Sequence, residues 1–266
     1  WGLAFLPDGR LLVTERPGRM RIVERDGTLN EPLTGLPPVV AAGQGGLLAV
    51  VLHPQFASNQ LVYWSYSEAG EGGAATAVAR GKLDGKRLAD VQVIFRQLPK
   101  VSGGNNHFGS RLVWSRDGKL FVGLGDRFTR KDDAQTLDNH MGKVVRIEAD
   151  GKPATDNPFV SRAGAKAEIW SYGHRNIQGA ALHPTSGELW TVEHGPQGGD
   201  ELNVPAAGAN HGWPVITYGR NYGIGTKIGD GSERADVAAP LRHWIPSIAP
   251  SGMAFLTSDR YPGWKG

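Results

Sequence analysis

Gly2-Leu3-Ala4-Phe5-Leu6-Pro7-Asp8-Gly9-Arg10-Leu11-Leu12-Val13 sets an apolar run, an Asp-Gly turn and a second apolar run in direct succession. The apolar residues lack a 3.6-residue period, and Asp-Gly suits the backbone of a tight turn, so the stretch reads as a β-hairpin. The phrase returns nearly whole as Ser110-Arg111-Leu112-Val113-Trp114-Ser115-Arg116-Asp117-Gly118-Lys119-Leu120-Phe121-Val122. Looser copies lead from Leu48-Ala49-Val50-Val51-Leu52-His53-Pro54 to Leu61-Val62-Tyr63-Trp64, and from Ala180-Ala181-Leu182-His183-Pro184 to Leu189-Trp190-Thr191-Val192. A fifth opens at Met253-Ala254-Phe255-Leu256 and is cut off at Tyr261-Pro262-Gly263-Trp264-Lys265-Gly266, where another strand is expected.

A hairpin that cannot bury its own faces is stabilised by stacking copies of itself around an axis, which predicts an all-β chain folded as a β-propeller. The alternative is a β-sandwich with coincidental Asp-Gly turns. Sandwiches place turn signals every ~8–12 residues without a long-range copy of a whole phrase, so the propeller is the preferred expectation. The 38 glycines and 17 prolines are spread along the chain, as many short strands require. No linker stands out, and residues 1–266 read as one domain truncated at both ends. The first residue, Trp1, already lies in strand-like sequence, so a signal peptide and the native start are expected before it.

Composition narrows the function. The chain has 29 basic and 26 acidic residues, a formal net charge of +3, and no run of Lys or Arg that would mark a nucleic-acid surface. No segment approaches the roughly 20 apolar residues of a membrane span. The absence of cysteine excludes disulfides, thiolate nucleophiles and cysteine-ligated zinc or iron–sulfur centres, and leaves the compartment open.

Four loop segments carry candidate chemistry. Gly43-Gln44-Gly45-Gly46-Leu47-Leu48 puts one amide side chain among glycines before a strand; alone, it reads as a plain turn. Gly103-Gly104-Asn105-Asn106-His107-Phe108-Gly109 places a histidine at a strand entry, where its ordinary pKa near 6.5 suits proton abstraction. Ser171-Tyr172-Gly173-His174-Arg175-Asn176-Ile177-Gln178-Gly179 offers a permanent cation beside an amide, either a ligand-facing pair or a surface arginine. Glu193-His194-Gly195-Pro196-Gln197-Gly198-Gly199-Asp200-Glu201-Leu202-Asn203 combines turn carbonyls with carboxylates, the hard oxygens calcium takes; an acidic turn without metal is the other reading. His174 and His194 match no zinc-ligand spacing and are expected in polar loop roles. There is no Gly-x-Gly-x-x-Gly between strand and helix for a nicotinamide and no Gly-x-Ser-x-Gly elbow of an α/β hydrolase.

Taken in order, and followed by Gly208-Ala209-Asn210-His211-Gly212-Trp213-Pro214, these segments resemble the soluble PQQ-dependent aldose sugar dehydrogenases of the glucose/sorbosone dehydrogenase family along essentially the whole chain. The resemblance implies a six-bladed β-propeller missing its C-terminal part in this chain, with PQQ and calcium as cofactors. It implies that His107 is the general base, taking the proton from the anomeric hydroxyl while hydride passes from C1 to the quinone. Gln44 and Arg175 would flank the reacting quinone oxygens, with Asn176 and Tyr222 as further cofactor contacts. The carbonyls of Gly195 and Pro196 would hold a calcium ion against PQQ, and Glu201 with the carbonyl of His211 a second, structural one.

Two positions depart from the family pattern. Asn106 stands where some members carry an Asp that orients and charge-stabilises the imidazole, and the Lys and Arg residues that grip the PQQ carboxylates belong to a stretch after Tyr-Pro-x-Trp that this chain lacks. The partners implied are an aldose sugar and an external electron acceptor, in a periplasmic or secreted setting. Sugar-selecting hydrogen bonds are expected around Asp126-Arg127 and Arg220-Asn221-Tyr222. A non-catalytic propeller that binds a protein or glycan, and a calcium-dependent lactonase, are the competing functions.

Overall fold

The structure, a computed structural model, describes residues 1–265. It contains four antiparallel sheets, each a meander in chain order, and these are four blades of an all-β propeller. The first holds β1 (Leu3–Phe5), β2 (Leu11–Glu15) and β3 (Arg19–Val23). The second holds β4 (Leu47–Leu52), β5 (Leu61–Gly70), β6 (Gly73–Asp84) and β7 (Arg87–Arg96). The third holds β8 (Gly109–Trp114), β9 (Leu120–Leu124), β10 (Lys143–Ile147) and β11 (Ile169–Tyr172). The fourth holds β12 (Ile177–Leu182), β13 (Leu189–Glu193), β14 (Asp200–Asn203) and β15 (Arg242–Trp244). Helix is confined, among the described residues, to one turn at Phe56–Asn59 and a 3-10 turn at Lys131–Gln135.

The predicted hairpins are β1–β2, β4–β5, β8–β9 and β12–β13, and in each the first strand is the innermost of its blade. These inner strands pack in sequence, β1 on β4, β4 on β8 and β8 on β12, around a common axis. The core lies between blades. Val62, Trp64 and Tyr66 of β5 join Leu12, Met20 and Leu47 on one side, while Tyr63 turns to Leu112, Leu120 and Val122 on the other. Both faces of such a strand are buried, so its sequence is apolar without alternation.

The fifth phrase turned out differently. Met253–Leu256 forms no strand; it runs along the fourth blade, where the Phe255 ring packs on His183 and Trp190 at 5.1 and 5.3 Å. Side-chain packing without a backbone partner leaves it irregular.

In an antiparallel hairpin the start of the first strand and the end of the second lie at the same end. The entries to β4, β8 and β12 carry Gln44, His107 and Arg175, and the exits of β9 and β13 carry Asp126 and the Glu193-to-Asp200 loop. Topology alone therefore gathers these residues at one mouth of the axis.

Candidate active site

His107 is buried, and its backbone is in the left-handed region at φ 55°. Such a conformation costs a residue with a Cβ of order 1–3 kcal/mol and persists only where its surroundings hold it. Its Nδ1 lies 2.7 Å from Oδ1 of Asp126, at the exit of β9. The partnership follows from the β8–β9 register, which sets Gly109 opposite Leu124. A carboxylate accepts, so Nδ1 carries the proton and the lone pair is left on Nε2, which makes no hydrogen bond among the described residues. Burial pushes the His107 pKa below its ordinary value, the Asp126 carboxylate opposes this, and the Arg175 charge adds to the lowering. The imidazole is thus held in its neutral form at pH 7, with a lone pair available on Nε2.

The surroundings fix that imidazole. Asp126 Oδ1 also accepts the Phe128 N–H at 2.7 Å, and Oδ2 accepts the indole N–H of Trp213 at 2.7 Å. Gln44 Oε1 accepts the His107 N–H at 2.7 Å, and the Gln44 N–H donates to the Asn105 carbonyl at 2.7 Å. A Cβ at Gly125 would run into the His107 carbonyl, so only glycine allows β9 to pass this close.

Arg175 approaches from β12. Its carbonyl accepts the Asp126 N–H at 2.9 Å, its own N–H donates to Glu193 Oε2 at 2.6 Å, and its guanidinium sits 5.3 Å from the centre of the Trp213 ring. Nη1 donates to the carbonyls of His194 and Gly195 at 2.9 and 2.7 Å, and Nη2 lies 3.4 Å from the hydroxyl of Tyr222. Nε is buried without a partner. Asn176 Oδ1 accepts the Gly109 N–H at 3.2 Å, tying β12 to the entry of β8. Tyr222 is exposed at the mouth. Gln44, His107 and Arg175 thus form one hydrogen-bonded constellation linked through Asp126.

The Gly195-Pro196 turn is held from behind by buried Asp200. Oδ1 accepts the Gly195 N–H at 2.9 Å, and Oδ2 accepts the Ser247 hydroxyl at 2.6 Å and the N–H groups of Ile248 and Ala249 at 2.7 Å each. Saturated in this way, Asp200 has little left to offer a metal. The turn presents carbonyl oxygens beside a guanidinium with an orphaned N–H, a donor set that fits an anionic, oxygen-rich cofactor together with a hard cation. A cavity of about 410 Å³ opens along the inner strands behind Gln44 and is lined also by Phe108, Arg111 and Gln178.

Glu201 and His211 lie apart from this, on a cavity of about 430 Å³. Burial first, and then the neighbouring Glu193 charge, push the Glu201 carboxyl up to about 8. Burial and the adjacent His174 push His211 down to about 3, and both its ring nitrogens lack partners. The carboxylate and orphaned atoms suit a cation, although among the described residues no three His, Asp or Glu side chains converge as a complete shell.

Sequence reasoning missed Asp126 as the partner of His107. Asp126 and Arg127 were expected among the sugar-selecting loops, yet both are fully buried and turned toward the His107 loop. The carboxylate that Asn106 does not supply comes from Asp126, 19 residues after His107. Trp213 was quoted as part of a motif, but its bridge between Asp126 and Arg175 has no local signal.

Comparisons with known proteins follow the same line. The family described as Glucose / Sorbosone dehydrogenase matches residues 1–266. The chain is 49% identical over 271 residues to aldose sugar dehydrogenase YliI of Escherichia coli (strain K12), covering 100% of this chain and 72% of that protein. The crystal structure of the soluble aldose sugar dehydrogenase from Escherichia coli in its apo-form aligns with a TM-score of 0.96 at 48% identity, over 100% of this chain and 77% of that one. The PQQ-bound form of aldose sugar dehydrogenase from Streptomyces coelicolor aligns with a TM-score of 0.80 at 32% identity, over 96% of this chain and 71% of that one.

Proposed function

The chain belongs to the glucose/sorbosone dehydrogenase family, and from that premise we propose that it oxidises aldose sugars at C1 to the lactone, with PQQ as its redox cofactor and calcium assisting. The observation that carries this reading is the buried His107–Asp126 pair, which leaves Nε2 without a hydrogen bond among the described residues, on a backbone held by Gln44 and within the field of Arg175.

In this reading Nε2 of His107 takes the proton of the anomeric hydroxyl as the C1 hydride leaves. Asp126 keeps Nδ1 protonated and stabilises the imidazolium that forms. Gln44 fixes the backbone that carries the base. Arg175, with Asn176 and Tyr222, would hold the cofactor, and its guanidinium would favour negative charge developing there. The carbonyls of Gly195 and Pro196 would hold a calcium ion, and Glu201 with the His211 carbonyl a structural one. PQQ, when bound, supplies a quinone that accepts two electrons, and calcium the Lewis acidity that polarises it. The electrons leave to an external acceptor, the proton through His107.

The six-bladed ring, the reading of residues 1–266 as part of a single propeller domain, and a periplasmic or secreted setting belong to the same proposal. Among the described residues no helix is long and apolar enough to cross a membrane. The test is reconstitution with PQQ and calcium, followed by dye reduction across a panel of aldoses. Sugar-dependent reduction that requires PQQ is expected; none with any sugar overturns the proposal.

A further inference from the structure

Arg127 is among the largest fully buried side chains, and among the described residues no carboxylate pairs with its guanidinium. Its acceptors are backbone carbonyls. Nη1 donates to Asn106, Nη2 to Gly104 at 2.6 Å, and Nε reaches the Ala74 carbonyl on β6 at 3.4 Å. The Arg127 N–H itself donates to the His107 carbonyl at 3.3 Å. The guanidinium carbon sits over the Phe108 ring, 3.5 Å from its centre. Of the four consecutive carbonyls from Gly104 to His107, Arg127 takes three, and the remaining one, on Asn105, is taken by the Gln44 N–H.

This loop contains His107 at φ 55°, faced by Arg127 and Phe128 at φ 57° and 64°. Left-handed backbone at residues with a Cβ relaxes unless something holds it. Asp126, the neighbour of Arg127, holds the imidazole of the same histidine. Consecutive residues thus grip one loop twice, by its side chain and by its backbone.

We propose that Arg127 is the positioning residue of the His107 loop, its guanidinium fork fixing the backbone so that the imidazole meets Asp126 on one side and the sugar on the other. This rests on the reading of His107 as the base. The planar fork spans two carbonyls two residues apart while its charge sits over an aromatic ring, which a lysine ammonium cannot reproduce.

The test uses the full-length protein with Arg127→Met and Arg127→Lys. In the PQQ-loaded enzyme, displacement of the base by a fraction of an ångström to about 1 Å predicts a kcat loss of about 10–100-fold for Arg127→Met. KM and the PQQ titration end point should stay within about twofold of the parent. Arg127→Lys should lose about 3–10-fold and serves as the test if the Met variant does not fold. In the cofactor-free protein, the downfield proton resonance of His107 Nδ1–H is expected to broaden or vanish in either variant. A folded variant with parental kcat overturns the proposal, as does a resonance identical to the parent's. A parent that oxidises no sugar overturns the proposed function instead, and the resonance still decides the role of Arg127.

Discussion

At the entry to β8, His107 turns Nδ1 to Asp126 at 2.7 Å; at the entry to β12, His174 turns Nδ1 to Glu193 at 3.0 Å. In each blade the carboxylate lies 19 residues downstream, at the end of the second strand. The pairs differ at the other ring nitrogen. His174 Nε2 accepts the Ser171 hydroxyl at 2.9 Å, and its ring is stacked on His211 at 4.5 Å, with nothing left to offer. His107 Nε2 is uncommitted. A buried histidine–carboxylate pair is therefore common to the third and fourth blades, and what separates the two is whether the second nitrogen is covered. The covered pair has a supporting task, because Glu193 also receives the Arg175 N–H.

The sharpest way to break this comparison is to truncate both histidines. His107→Ala should lower kcat by about 10²–10⁴-fold with PQQ loading retained. His174→Ala should keep kcat within about tenfold but lose about 3 kcal/mol of stability, because it strands a buried carboxylate. Steady-state kinetics and denaturant unfolding of both variants check this, and the reverse pattern would exchange the roles of the two pairs.

Asp126→Asn should cost about 10²-fold in kcat, since the amide cannot stabilise an imidazolium. It also moves the pH profile in a defined direction. Burial already holds the His107 pKa below 6.5, and Asp126 works against that lowering. Removing its charge lets the pKa fall further, so the acid limb of kcat/KM shifts to lower pH. A shift to higher pH would assign the limb to another group.

The hairpins of the blades were legible in the sequence and the buried pairs were not. Asp8-Gly9 and Asp117-Gly118 announce their hairpins because turn chemistry is local, and the entries to inner strands carried His107, Arg175 and Gln44 in recognisable loops. What completes each pair is set by register across a hairpin. Asp126 stands in Gly-Asp-Arg with no mark of its partner, and Glu193 reads as part of an acidic turn. Arg127 was expected to select the sugar, and its real acceptors are backbone carbonyls, which sequence does not distinguish. Met253–Leu256 misled in the opposite way, its apolar spacing coming from packing on His183 and Trp190.

The covered pair also predicts a metal-linked effect. Asn203 Nδ2 donates to Glu193 at 2.8 Å and to Glu201 at 3.0 Å, so two buried carboxylates share one amide. Raised to about 8 in the fold, Glu201 contributes stability that is present below its ordinary carboxylate pKa and lost as pH rises through about 8. In metal-free protein Glu201→Gln should flatten the decline of Tm between pH 5 and 8, by about a few degrees at the upper end. Calcium should raise the Tm of the parent at pH 8 and leave the variant unmoved. An equal calcium shift in both would remove Glu201 from the second calcium site. The smallest effect is expected at the rim: Tyr222→Phe, deleting the 3.4 Å contact to Arg175, should weaken PQQ binding about two- to threefold with kcat unchanged in a loaded enzyme.

Trp213 gives the molecule an optical property. Its indole N–H is bonded to Asp126 and its ring lies beneath the Arg175 guanidinium, so one chromophore feels an anion at one end and a cation across its face. Indole emission responds to such fields. An anion arriving beside Arg175, or a proton arriving on the His107–Asp126 pair, should register as a shift in emission wavelength that Trp213→Phe abolishes, making the occupancy and protonation of the mouth readable in real time without a dye or a turning-over substrate.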